Sequence, residues 1–378
     1  METILVLSFN NLERDPRIHR QIRFLKQDYR VTALGTADPL IEGVDFISVS
    51  KRIEHLRTLL TSPLLLIGRY EDWYWGQPHI RASYEKLSNV RKDLIVANNI
   101  ETLPLALRLA KGAKIIFDAH EYAPGQMEDI LYWRIFFRKY TAHLCKTYIP
   151  QTDGMMTVGQ IIADTYARET GVKPIVVTNA PDYEDLQPQF SGPQNKVIRM
   201  IYHGDASPSR QTDKMIRMMD FLDGRYELNL MLIETHDRYL QHLKNLARER
   251  PGIRFLPPVP MRAIPKALNQ FDVGVYLLEP HNFNLRHALP NKFFEFIQGR
   301  LAIAIGPSPE MALLVRKHDL GVVSQDFSPQ ALAGCLRKMD RATIDHFKLQ
   351  SHKVARDLSA EGNKKRLLQL VRQVLKKG

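Results

Sequence analysis

Three groups of residues have the types and spacing for chemistry on a phosphorylated or hydroxylated substrate. Asn291-Lys292-Phe293-Phe294-Glu295 places an amide, an ammonium and a carboxylate at the start of a helix opened by Pro290. The first backbone N–H groups of such a helix have no intrahelical partner, and in open α/β sheets they hold phosphate-bearing ligands. Asp118-Ala119-His120-Glu121 ends an apolar run, and a His and a Glu just past a strand end stand where such sheets put their chemistry. The imidazole can hydrogen-bond a hydroxyl or shuttle a proton near neutral pH. The stretch from His203 through Gly204 and Asp205 to Arg210 reads as a polar loop of small residues. It can bring N–H groups to a phosphate, with Arg210 as a bidentate fork. Each group has a plainer counterpart of equal spacing: an amphipathic helix, a structural histidine and a surface loop.

The elements needed to position these groups follow from short apolar runs alternating with helical stripes. Thr3–Ser8, Val31–Leu34, Asp93–Asn98, Lys114–Asp118, Gly154–Gly159 and Pro174–Pro181 read as strands buried on both faces. Between the first two, Asp15 is the expected N-cap and Pro16 the first helical residue. The pattern restarts at Val197–Tyr202 and continues through Leu228–Ile233, Arg254–Leu256, Phe271–Leu278, Leu301–Ile305 and Gly321–Val323. Gly299 is expected to stop the Asn291 helix, and Gly306-Pro307 to end the strand after it in a turn. Pro280 to Pro290 reads as an irregular loop holding His281, Arg286 and His287. Gln187 to Asn195, rich in Pro, Gly, Gln and Ser, reads as a linker.

The resulting fold class is α/β, with two Rossmann-like doubly wound domains facing a cleft. Residues 1–189, with 360–378 as a C-terminal helix crossing back, form an acceptor-side domain; residues 190–359 form a nucleotide-sugar-binding domain. A length of 378 residues suits two domains, and 44% apolar with 25% charged residues are globular values. No run reaches membrane-spanning length and no secretory leader is read. The two cysteines, Cys145 and Cys335, show no metal-ligand spacing, so a cytoplasmic setting is expected. Residues 1–190 carry equal numbers of basic and acidic side chains, so the net charge of +12 belongs to the second half. No nucleic-acid module accompanies it, and nucleic acid is not an expected partner. The first βα turn also lacks the Gly-x-Gly-x-x-Gly of a dinucleotide site, which argues against a dehydrogenase.

Asn-Lys-x-x-Glu at Asn291 to Glu295, the strand after it and Pro309-Glu310 as a Pro-Glu turn resemble the donor-site signature of family 4 retaining glycosyltransferases of the GT-B fold. The resemblance implies transfer of a sugar from a nucleotide-sugar to an acceptor hydroxyl with retention, in synthesis of bacterial cell-surface polysaccharide or glycolipid. It implies that Glu295 holds the ribose hydroxyls and that Asn291, Arg286, His287, Gly204, Val259 and Glu310 belong to the donor site. The segment Pro257 to Pro260 is similar to the one whose backbone faces the base. His120, Arg210 and Lys292 are the implied catalytic groups, the two cations stabilising the leaving diphosphate in place of a metal. Asn10, Asn11, Arg17 and Glu121 are placed on the acceptor side, and Asn179-Ala180-Pro181 resembles the turn closing the first domain. No cofactor is expected beyond a UDP- or GDP-sugar as substrate; the acceptor is a saccharide or a lipid-linked molecule. Two departures are visible: His287 stands where a Glu faces the donor sugar, and Asp205 where an Arg meets the diphosphate. They keep open a non-catalytic scaffold, or a sugar-nucleotide epimerase on the same fold.

Two aromatic and basic stretches remain. Leu56, Arg57, Leu59, Leu60, Leu64, Leu65 and Arg69 precede Trp73-Tyr74-Trp75, and Arg134 to Tyr140 repeats the mixture. Both suit either a membrane interface or packing on a sheet, and peripheral contact with an anionic membrane at the inner face of the cell membrane is carried as an expectation. The tail from Lys364 has an apolar stripe of Leu367, Leu368, Leu370, Val371, Val374 and Leu375, for which packing is expected over membrane contact.

Overall fold

The structure, a computed structural model, describes residues 1–50, 60–192, 194 and 196–376. Leu56, Arg57 and Leu59 of the first apolar stretch, and Pro193 and Asn195 of the expected linker, lie outside the described residues. The chain forms two compact units. One comprises Met1–Asn179, Asn282–Leu285 and Asn363–Gly378, the other Ala180–His281 and Arg286–Gly362. The opening stretch of the first unit runs to Asn179, and its closing stretch starts at Asn363.

The first unit is built on a parallel sheet in the order β3-β2-β1-β4-β5-β6-β7. Its strands are β1 Thr3–Leu7, β2 Arg30–Gly35, β3 Val44–Ser48, β4 Leu94–Asn98, β5 Lys114–Ala119, β6 Gly154–Thr157 and β7 Ile175–Val176. The strands β1 and β4 are buried at every position, as their apolar runs Ile4–Leu7 and Leu94–Ala97 require for a sheet covered on both faces. The strand β3 was not anticipated. It is only partly buried and pairs through β2 at the sheet edge, so its sequence lacks a continuous apolar run.

The second unit repeats the arrangement in the order β10-β9-β8-β11-β12-β13. Its strands are β8 Ile198–Asp205, β9 Tyr226–Ile233, β10 Ile253–Leu256, β11 Val273–Tyr276, β12 Ala302–Ile305 and β13 Gly321–Val323. In both sheets the order reverses beside the first strand, between β1 and β4 and between β8 and β11. The carboxyl ends of strands at such a switch point leave a crevice for ligands.

Three local expectations are corrected. His203, Gly204 and Asp205 are the end of β8, paired to Met231, Leu232 and Ile233 of β9, and not a loop. Pro309 and Glu310 open a helix, Pro309–His318, in place of a turn. The loop before Pro290 holds a short helix, Phe283–Arg286.

The helix Ala360–Lys376 begins in the second unit and belongs to the first from Asn363 onward. Its stripe of Leu367, Leu368, Leu370, Val371 and Val374 is buried, and Asn363 exchanges hydrogen bonds with Thr178. Leu370 and Val374 close on Gly154 at the start of β6. No helix among the described residues is long and apolar enough to cross a membrane.

Candidate functional site

The helix Asn291–Gln298 follows Pro290, which is the residue before the helix, with extended backbone. Phe293, Phe294, Phe296 and Ile297 are buried, so the apolar face read from the sequence is the one that packs. The fit is set by glycines. Phe296 lies where a Cβ on Gly274 of β11 would stand, and a Cβ on Gly299 would sit 2.9 Å from Leu268 Cβ. Gly299 is right-handed, with φ −76°, so it does not end the helix by a left-handed turn. That conformation falls to Arg300, at φ 60°. The Arg300 N–H donates to the Ile297 carbonyl, and the Leu301 N–H to that of Phe296. The Arg300 guanidinium is fully buried and donates to the Ile297 and Gln298 carbonyls at 3.2 and 2.7 Å, a cation on the negative end of the helix.

This packing carries Lys292 and Glu295 to the carboxyl end of β8. The Lys292 Nζ donates to the Tyr202 hydroxyl at 3.0 Å and lies 4.5 and 5.3 Å from the Tyr202 and Tyr276 ring centres. Gly204 has φ +134°, a backbone conformation that favours glycine, and a Cβ there would stand 2.9 Å from Lys292 Nζ, so the ammonium lies against the bare strand end. Burial lowers the lysine's pKa from its ordinary value, offset in part by the Tyr276 hydroxyl. Burial likewise pushes the Tyr202 and Tyr276 hydroxyls up to about 12, so both are neutral donors or acceptors.

Glu295 is buried one turn further on, its Oε2 3.4 Å from His203 Nε2. Burial pushes His203 down to about 3, with Lys292 adding in the same direction. The contact is therefore carboxylate against neutral imidazole, not an ion pair. Nε2 makes no hydrogen bond at this alignment. His203 was not singled out from the sequence as a site residue; a histidine inside a strand next to a glycine was the available signal.

Arg210 ends the short turn Pro208–Arg210 and reaches Asp205 at 3.5 Å, both side chains more than a third exposed. The turn is anchored by Gln211, left-handed at φ 49°, which exchanges hydrogen bonds with the Glu279 backbone. Asn291 and Val259 are half-buried, the latter in the loop after β10. Glu310 is buried in the first turn of its helix. Arg286 is exposed, and His287 is half-buried, its pKa lowered by burial and by the Arg286 charge.

In the first unit, Asp15 caps the helix Pro16–Leu25 by accepting from the Arg17 and Ile18 N–H groups. Asn10 is spent on the same cap, donating to Asp15 Oδ2 at 2.9 Å, while Asn11 Oδ1 accepts the Arg14 N–H. Arg17 is buried, and its guanidinium forks onto Asp118 at 2.6 to 3.2 Å and donates to the Val177 carbonyl at 2.6 Å. Gln21 donates to Asp118 Oδ2 at 3.0 Å, and Asn98 donates to Gln21 Oε1 at 3.0 Å. Asn98 Oδ1 then lies 3.1 Å from His120 Nε2.

With Asn98 oriented so, Oδ1 only accepts; Nε2 carries the proton and Nδ1 of the neutral ring is left as acceptor. Burial lowers the His120 pKa, partly offset by Asp118, so the neutral ring prevails at physiological pH. Arg17, Asp118, Gln21 and Asn98 form a buried hydrogen-bond chain that ends on His120. Glu121, whose carboxyl is raised by burial, accepts from the Gln126 amide. Among the described residues no group of three His, Cys, Asp or Glu side chains is arranged to hold a metal ion.

No protein-family model matches the sequence, and no curated protein does. Solved structures do match. The crystal structure of Anabaena HepE in complex with UDP-glucose is similar over 99% of this chain and 100% of its own, at 12% identity and a TM-score of 0.69. A glycosyltransferase from Rickettsia africae matches over 100% and 99%, at 11% identity and a TM-score of 0.71. Sucrose-phosphate synthase from Thermosynechococcus elongatus matches over the whole of both chains, at 12% identity and a TM-score of 0.71. Identities this low speak to architecture: the chain has the GT-B fold, with two Rossmann-like parallel α/β domains.

Proposed function

We propose that the protein is a retaining glycosyltransferase that moves a sugar from a nucleotide-sugar to an acceptor hydroxyl. The observation that carries this reading is the Lys292 ammonium held against side-chain-free Gly204 at the switch point of the second sheet, one helical turn from buried Glu295. A cation at that place suits a diphosphate, and a buried carboxylate beside it suits a ribose diol. In the step proposed, the bond from the anomeric carbon to the diphosphate oxygen breaks and the acceptor oxygen bonds to that carbon. The acceptor proton passes to the departing phosphate oxygen, and configuration is retained. Lys292 and Arg210 stabilise the charge that develops on the leaving group, in the role a metal fills elsewhere. His120, neutral and with Nδ1 as acceptor, binds a sugar hydroxyl.

The UDP-glucose complex among the similar structures supports a UDP-sugar as the first donor to try. The test is a thermal-shift series with UDP, GDP, ADP and their sugars, without metal, on wild type and Glu295→Ala. Stabilisation of the wild type by one nucleotide is expected; at a hundredfold excess over Kd it amounts to about 2.7 kcal/mol, and it should vanish in the variant. A shift that survives in Glu295→Ala, or no shift at all, would remove the donor-site assignment. Hydrolysis-free turnover of a nucleotide-sugar without acceptor would instead indicate an epimerase.

A further inference from the structure

The contact between His203 and Glu295 is left open in the second unit. His203 precedes Gly204 on β8, is paired with Met231 of β9, and has a side chain only 6% exposed. Its ring stands edge-on to Phe296, with centroids 5.5 Å apart and planes at 89°. Phe296 is itself seated on Gly274, so the imidazole has a fixed plane against a fixed neighbour. From there Nε2 faces Glu295 Oε2 at 3.4 Å and makes no hydrogen bond among the described residues. A buried imidazole nitrogen without a partner costs free energy that a phenyl ring of similar bulk does not. A polar ring kept at such a place calls for a use.

Tyr202 and His203, neighbours on β8, each meet one functional side chain of the helix Asn291–Gln298. The Tyr202 hydroxyl accepts from Lys292 Nζ at 3.0 Å, a closed hydrogen bond, while His203 stops short of Glu295. The terminal torsion of a glutamate is soft, and a small turn of the carboxylate brings Oε2 onto an Nε2–H donor. The ring is neutral and carries one N–H, so with the proton on Nε2 it supplies that donor. Once Oε2 is held, the carboxylate plane is set and its remaining lone pairs have fixed directions. Two such oxygens accept from the adjacent 2′- and 3′-hydroxyls of a ribose, whereas a 2′-deoxyribose offers only one. A buried acceptor is then left without its donor, and sites built to bond a hydroxyl reject analogues that lack it.

We propose that His203 is a positioning residue that locks the Glu295 carboxylate for a cis-diol, so that the donor is a ribonucleoside diphosphate sugar and not a 2′-deoxyribonucleoside one. This rests on the nucleotide-sugar reading of the site and adds to it the histidine and the pentose it selects. Titration calorimetry of the full chain compares UDP, GDP and ADP with dUDP, dGDP and dADP, on wild type, His203→Phe and His203→Gln. The wild type is expected to prefer the ribonucleotide of its base at least about tenfold, the worth of one hydrogen bond to a charged group. His203→Phe keeps the bulk and removes the N–H; it should cut that preference below about threefold while leaving the deoxynucleotide affinity within about threefold of wild type. His203→Gln, whose amide again offers a donor, should recover part of the preference. Retained deoxynucleotide binding shows that the Phe variant is folded; should it not fold, the wild type itself gives a second readout. In protein labelled with ¹⁵N-histidine, the Nε2 signal that disappears in His203→Gln should move on adding the ribonucleotide and stay in place with its deoxy counterpart. A wild type without the preference, a preference unchanged in His203→Phe, or an Nε2 signal indifferent to the ribonucleotide overturns the proposal and leaves the donor site standing. Binding of none of these nucleotides removes the donor site and the proposal with it.

Discussion

Lys292 is a charge kept where charge is costly. Water would solvate it better than two tyrosine rings and a hydroxyl do, and burial accordingly favours its neutral form. A bound diphosphate would reverse that preference. The sign follows: only the ammonium attracts the ligand, and in the free protein it is lost below the ordinary lysine value of 10.5. Nucleoside diphosphate affinity, measured by titration calorimetry, should therefore fall as pH rises toward 10, earlier than an ordinary lysine would dictate. Lys292→Arg, whose guanidinium stays charged, should flatten the profile, and Lys292→Ala should lower affinity about 10- to 100-fold at neutral pH, the worth of one charge-assisted hydrogen bond. A slope that is the same in the arginine variant would show that another group titrates. In the first unit the contrast is with Arg17, which was expected to face an acceptor. Its donors go to Asp118 and to Val177, and Asp118 is tied through Gln21 and Asn98 to His120.

At the scale of elements, the helix Asn291–Gln298 is located by three contacts that involve neither Lys292 nor Glu295. Phe296 rests on Gly274, Gly299 on Leu268, and buried Arg300 closes the last turn. Gly299→Ala keeps an allowed backbone conformation but places a methyl 2.9 Å from Leu268 Cβ. Overpacking of this kind costs typically 1–3 kcal/mol, and the helix must shift to relieve it. The variant should lower the denaturant midpoint and weaken nucleotide binding together, although residue 299 touches no proposed ligand. A midpoint loss with unchanged nucleotide affinity would separate the helix position from the site. The residue ending the helix is also instructive: a left-handed arginine is uncommon, and here its buried guanidinium satisfies the Ile297 and Gln298 carbonyls, which a glycine could not do.

For the whole molecule the decisive element is the last one. The helix Ala360–Lys376 begins in one unit, and its apolar stripe is buried in the other. Truncation after Gly362 would strip Leu367, Leu370, Val371 and Val374 from the first unit. At roughly 1.5–3 kcal/mol for each buried aliphatic side chain, the loss is comparable with the entire stability of a domain. The truncated chain should be largely insoluble, or show the first unit melting at least 10 °C lower while the second keeps its transition, as read by calorimetry. A soluble product with unchanged melting would mean that the stripe contributes little. The basic side chains of the same helix, among them Arg372 on Asp28, remain at the surface.

What the sequence determined by itself is the alternation. Runs such as Ile4–Leu7 and Ala302–Ile305 are apolar throughout, and only a sheet covered on both faces buries every position. The Asp15-Pro16 cap is equally local, since its partners are two and three residues away. The edge strand β3 was not legible, because an edge is half solvated and needs no apolar run. Nor was the end of β8, where His203-Gly204-Asp205 has loop-like composition and is a strand only because β9 runs beside it. The residue types at the site could be named from the sequence. That Lys292 lies against bare Gly204, that His203 is the neutral neighbour of Glu295, and that Arg17 serves Asp118 were decided by tertiary contacts across 88 to 101 positions of sequence or a shared buried corner. Spacing carries no information about pairs that far apart, because only the packed chain brings them within hydrogen-bonding distance.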